Sequence, residues 1–107
     1  MKVNITSRKF EPSDKLKEYI HSRLKRIEKI CKSVNSCTII LQKESRAEKV
    51  ELIVKDKNDT YISKCFSSRF EKTIAKAVDN ILVQIKKRTK RYHRVSSKSD
   101  INDYLDK

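Results

Sequence analysis

In residues 37–66, CTIILQKESRAEKVELIVKDKNDTYISKCF, three runs rich in β-branched and aromatic side chains alternate with two polar segments. The runs are Cys37–Leu41, Val50–Val54 and Tyr61–Phe66. Each is too short for a packed helix, and β-branched side chains fit a pleated, half-buried surface better than a helical one. Asp56-Lys57-Asn58-Asp59 has turn chemistry, so the second and third runs form a hairpin. In the third run Tyr61, Ser63 and Cys65 share one face, where small side chains let a helix approach closely.

Upstream, residues 1–7 alternate Val3 and Ile5 with polar neighbours and read as a first strand. Pro12-Ser13-Asp14 turns the chain into a helix, with Ser13 as N-cap and Asp14 in the first turn. Leu16, Tyr19, Ile20, Leu24, Ile27 and Cys31 form one apolar stripe, which predicts a helix over 14–31. Downstream, Ser67 or Ser68 caps a second helix with the stripe Phe70, Ile74, Ala77, Val78, Ile81 and Ile85. The stripe stops at Ile85, while helix-compatible sequence continues to about Tyr92, so the last turns project beyond the core. Residues 95–107 read as a flexible polar tail behind a single domain over 1–94. The expected class is α+β, in the order β-α-β-β-β-α. It is a four-stranded sheet with two helices packed on one face, its first pair parallel and the others antiparallel.

A chain of 107 residues supports one modest core. It has no apolar run near the ~18 residues of a membrane span and no apolar block of a secretion signal, so a soluble cytoplasmic protein is expected. Cys31, Cys37 and Cys65 match no metal or redox spacing and read as buried reduced thiols. No cofactor or metal is implied. His21 and His93 each sit among basic residues, and no nucleophile, base and oxyanion site can be assembled, so no enzyme and no small-molecule substrate are expected.

The charge is more informative. Lys and Arg number 27 against 14 Asp and Glu, a net +13. Residues 15–32 hold seven basic and two acidic groups, and residues 69–94 hold nine and two, so the helical segments carry +12 of the total. QIKKRTKRYHR, residues 84–94, has six basic residues and no acidic one. A face kept soluble by charge mixes both signs, whereas like charges at helical spacing call for an anionic partner. A membrane surface would require large apolar residues opposite the charges, and 86–94 offers only Tyr92. With no glycine in the chain, there is no P-loop, no GXXG clamp and no Gly-rich base-stacking motif. A reader of RNA shape and backbone remains.

Val3-Asn4-Ile5-Thr6-Ser7-Arg8, with Leu16-Lys17-Glu18-Tyr19-Ile20 and Arg23-Leu24, resembles the start of ribosome hibernation promoting factors and ribosome-associated translation inhibitors. Ile74-Ala75-Lys76-Ala77-Val78-Asp79 and Gln84-Ile85-Lys86-Lys87 resemble the second-helix signature of that family. The resemblance runs from residue 1 to about 94 in one register and implies a short form without the second domain of long members. It implies a layout like that of double-stranded RNA-binding domains. It also implies binding to rRNA of the small ribosomal subunit, in the mRNA and tRNA channel of an intact ribosome, blocking translation by steric exclusion while preserving the idle ribosome. Off the ribosome a monomer is expected. The family's basic positions fall on Arg23 and Arg26 in the first helix and on Lys87 and Arg91 in the second, with Arg8 at a basic or polar position after the first strand. Lys29, Lys86, Arg88 and Lys90 join them on charge alone. The family often has Asp-Met-Tyr where this chain has Arg69-Phe70-Glu71. Two rival readings are a general RNA-binding or RNA-chaperone module, and a protein whose basic helices hold an acidic partner.

Overall fold

The computed structural model describes residues 1–96, with side chains through Arg88. The elements are β1 (Lys2–Arg8), α1 (Asp14–Ile30), β2 (Ser36–Lys43), β3 (Glu48–Lys55), β4 (Thr60–Ser67) and α2 (Phe70–Ser96). They form one sheet in the order β1-β2-β3-β4. β1 runs parallel to β2, and the other two pairs are antiparallel. The hairpin at 56–59 closes by an Asp56 N–H donating to the Asp59 carbonyl at 2.9 Å.

Both helices cover the same sheet face. Leu16, Ile20, Leu24 and Ile27 of α1 join Ile74, Ala77, Val78, Ile81 and Ile85 of α2 in one buried cluster with Cys37, Ile39, Leu41, Val50, Leu52 and Val54. Fully burying one Leu or Ile contributes about 1.5–3 kcal/mol, so these two stripes dominate the stability. Ser63 and Cys65 let α2 lie close to β4, and Asn80 Nδ2 donates to Ser63 Oγ at 3.2 Å. Gln84 Nε2 donates to the Ile62 carbonyl at 3.0 Å and occupies an acceptor on the outer edge of β4.

Local signals explain the helix starts. Ser13 Oγ accepts from the Leu16 N–H at 3.1 Å, as an N-cap does. α2 begins differently from expectation. Ser67 ends β4, α2 starts at Phe70, and the Arg69 carbonyl accepts the Thr73 N–H at 3.0 Å. In place of a serine cap, the Phe70 N–H donates to Glu48 Oε1 at 2.7 Å. Glu48 pairs with Ser67 across β3 and β4, so its carboxylate reaches the helix start and meets the positive end of the dipole. The hydroxyl of fully buried Thr73 lies 2.8 Å from the Arg69 carbonyl and 2.5 Å from Ser67 Oγ.

Other boundaries differ slightly. Cys31 has extended dihedrals and caps α1 through its N–H to the Ile27 carbonyl, so the helix ends one residue early. α2 continues past Tyr92 to Ser96, which takes Val95 and Ser96 from the expected tail; residues 97–107 lie outside the described residues. Of the three free thiols only Cys37 is buried. Cys31 and Cys65 are half-buried and pack against the outside of the core cluster. Lys9 adopts φ 71°, a left-handed turn that brings Phe10 onto Phe70 with ring centroids 5.0 Å apart.

Candidate nucleic-acid interface

The helices lie side by side and run parallel, because residues advance together along their shared groove. Tyr19 donates its hydroxyl to the Glu71 carbonyl at 3.0 Å, and Arg26 Nη1 lies 3.5 Å from Asp79 Oδ1. Arg23 is fixed between them. Its Nε donates to the Tyr19 hydroxyl at 3.1 Å, and its guanidinium stands 5.2 Å from the Tyr19 ring centroid.

Two helix carboxylates are paired. Asp79 faces Arg26 across the groove, and outside it Glu28 lies 3.3 Å from the N-terminal amine of Met1. Asp14 and Glu71 sit in the first turns of α1 and α2, where a carboxylate complements the dipole. All five helix carboxylates, Asp14, Glu18, Glu28, Glu71 and Asp79, are exposed but outnumbered on the outer surface. That surface presents Lys15, Lys17, Lys25 and Lys29 from α1, and Lys72, Lys76, Lys86 and Lys87 from α2, all exposed. After Asp79 no acidic residue follows in α2. The result is a two-helix basic face whose cations have few internal partners.

The residues singled out from sequence divide among several places. Lys29, Lys86 and Lys87 lie on the helix face, with Lys29 in the last turn of α1. Arg23 and Arg26 line the groove between helices, partly engaged as described. Arg88 instead reaches the β3–β4 turn, its Nε 3.0 Å from Asp59 Oδ2. Arg8 points to the sheet face opposite the helices, because its neighbour Ser7 shares the register of core residue Leu41. α2 carries Lys90 and Arg91, whose side chains lie outside the described residues. Phe70 is buried against Phe10, so it makes no outward contact at the start of α2.

Two features escaped the sequence. The Arg88–Asp59 pair joins positions 29 residues apart, and no local pattern signals it. The uncovered sheet face carries the cross-strand row Arg8, Gln42, Lys49 and Phe66. That row became visible only once the register was known. Among the described residues no His, Cys, Asp and Glu group could hold a metal ion. No described helix is long and apolar enough to cross a membrane.

A family profile described as "Sigma 54 modulation protein / S30EA ribosomal protein" matches residues 3–93. Comparison with curated proteins gives no match. Among solved structures, a ribosomal subunit interface protein from Coxiella burnetii aligns with a TM-score of 0.78 at 21% identity, covering 83% of this chain and 98% of that one. The N-terminal domain of Protein Y from Thermus thermophilus aligns with a TM-score of 0.74 at 18% identity, covering 80% of this chain and 97% of that one. At these identities the structural likeness speaks for the fold.

Proposed function

The chain belongs to the sigma 54 modulation protein / S30EA ribosomal protein family, and from that membership we propose that it is a ribosome-associated protein of the hibernation type. It binds rRNA of the small subunit in the channel that mRNA and tRNA occupy at the decoding region. It blocks translation there by steric exclusion and preserves the idle ribosome. It does so as a monomer off the ribosome and in the cytoplasm, without catalysis or a cofactor.

The observation that carries this reading is the pair of parallel helices that expose eight lysines against five carboxylates, two of which are paired with Arg26 and the N-terminal amine. Folded RNA offers rows of phosphates, and its deep, narrow major groove hides the base edges, so a rigid two-helix cationic face suits RNA backbone better than base readout. Because the helices are tied to each other and to one sheet, the face binds without first having to order itself, which lowers the entropic cost of association. A bulky wedge held this way excludes other ligands without any chemistry of its own.

The test is the structure of the complex between this protein and the small subunit by electron cryomicroscopy. Density in the mRNA and tRNA channel, with α1 and α2 against rRNA, is the expected result. Density elsewhere on the subunit, or no stable complex, would reject the site.

A further inference from the structure

The sheet face that the helices leave uncovered carries its own pattern. From the strand register, Lys2, Asn4, Thr6 and Arg8 of β1 lie on it together with Thr38, Ile40 and Gln42 of β2. β3 adds Lys49, Glu51, Ile53 and Lys55, and β4 adds Thr60, Ile62, Lys64 and Phe66. Five cations therefore stand against one carboxylate on this face. Phe66 is 67% exposed and Ile62 50% exposed, and they rank among the most exposed large apolar residues of the described chain. Arg8, Gln42, Lys49, Glu51, Lys64 and Phe66 border a shallow depression.

We infer that this face binds single-stranded RNA, with a base stacked on Phe66 and the flanking phosphates held by Arg8, Lys49 and Lys64. The choice of RNA over DNA rests on the function proposed above. The surface itself is independent of the helices.

Three observations favour that occupant. The row Arg8–Gln42–Lys49–Phe66 places, across four adjacent strands, a cation, an amide, a cation and an aromatic ring. That combination suits an unstacked nucleotide: the ring takes the base, the amide can bond a base edge, and the cations take phosphate. The existing charge pairs are weak competitors. Lys64 lies 3.8 Å from Glu51 and Lys49 3.2 Å from Glu44, with side chains 33–75% exposed, so that salt screens both pairs. Finally, an A-form duplex keeps its bases sealed inside, so an aromatic ring on an open sheet gains nothing from it. The two faces thereby divide the labour, with backbone held by helices and an unpaired base held by the sheet.

The experiment measures binding of the full chain to fluorescein-labelled octauridine and to a labelled RNA hairpin by anisotropy. One stacked base lost typically weakens binding by about ten-fold or more. Phe66→Ala is expected to weaken octauridine binding by about that factor and hairpin binding by less than about two-fold. Phe66→Trp keeps a stacking surface and is expected to retain the affinity. Because Phe66 is largely exposed, neither change threatens the core, and circular dichroism verifies the fold. Lys76→Glu on the helix face should show the opposite preference, and its effect on small-subunit binding reports on the helix reading separately. Unchanged octauridine binding in Phe66→Ala would overturn the inference. So would equal losses on both RNAs, or sedimentation showing that Phe66 holds a second copy of this chain instead.

Discussion

Arg88 and Asp59 join α2 to the β3–β4 turn, Nε to Oδ2 at 3.0 Å. The same contact draws the Arg88 side chain toward the sheet, while its neighbour Lys87 faces outward. Adjacent basic residues thus have different roles. Arg88→Glu sets two carboxylates together and is expected to lower stability by about 1 kcal/mol, since the pair is partly exposed and screened. Lys87→Glu should change stability by less than about 0.5 kcal/mol. Urea unfolding midpoints measure both, and the swap Arg88→Asp with Asp59→Arg should recover much of the loss. Equal midpoints for the two single variants would remove the structural role of the pair.

Val78 and Ile81 are fully buried between the sheet and α1. Truncating either to Ala leaves a cavity beneath both helices and should cost about 2–4 kcal/mol in urea unfolding, with the slope unchanged. A cost below about 0.5 kcal/mol would mean that α2 does not bury this face.

Burial, with Glu28 nearby, pushes the Cys37 thiol up to about 11, against an opposing pull from the N-terminal amine. The folded state therefore keeps the proton longer than the unfolded one. The associated stability is fully present below the unfolded value near 9 and is lost as pH rises through about 11. In Cys37→Ala that part of the alkaline decline should vanish. At pH 8 iodoacetamide should label Cys31 and Cys65 first and Cys37 only through unfolding. Equal rates at all three thiols would contradict the buried placement.

Salt dependence tests the backbone contacts as a group. If six to eight of the helix cations meet phosphates, log K should fall with log salt at about 0.7 to 0.9 per contact. Titrating small-subunit binding between about 50 and 200 mM salt gives the slope. A total slope of about one or two would exclude an extended backbone clamp.

Most of the fold was legible because local signals agreed. The alternation around Ile39, Leu52 and Tyr61 set the strands, the stripes through Leu24 and Ile81 set the helices, and Ser13 capped the first helix. The start of α2 was misplaced because its capping group, Glu48, lies 22 residues upstream and arrives only through the β3–β4 register. The basic character of the helices was legible from composition. Which cations remain available was not, since Arg88 and Arg26 find their partners across the fold at Asp59 and Asp79. Arg8 was expected after the first strand, but β1 includes it and turns it to the far side of the sheet. Alternation from Cys65 already put Phe66 on the face away from the helices, but its neighbours Lys49, Gln42 and Arg8 came only with the register.

Positioned helix cations, and not total charge, are expected to hold the protein on the small subunit. Two variants with equal charge decide it. Lys72, Lys76 and Lys87 changed to Glu alter the exposed helix face; Lys43, Arg46 and Lys57 changed to Glu alter exposed strand ends and turns. Each triple change lowers the net charge from +13 to +7. Both should fold, since all six side chains are exposed. Pelleting with purified small subunits is expected to show near-complete loss of the helix variant and retention of most of the turn variant. Equal loss in the two would show that long-range attraction alone drives binding, and the helix-face account would fail.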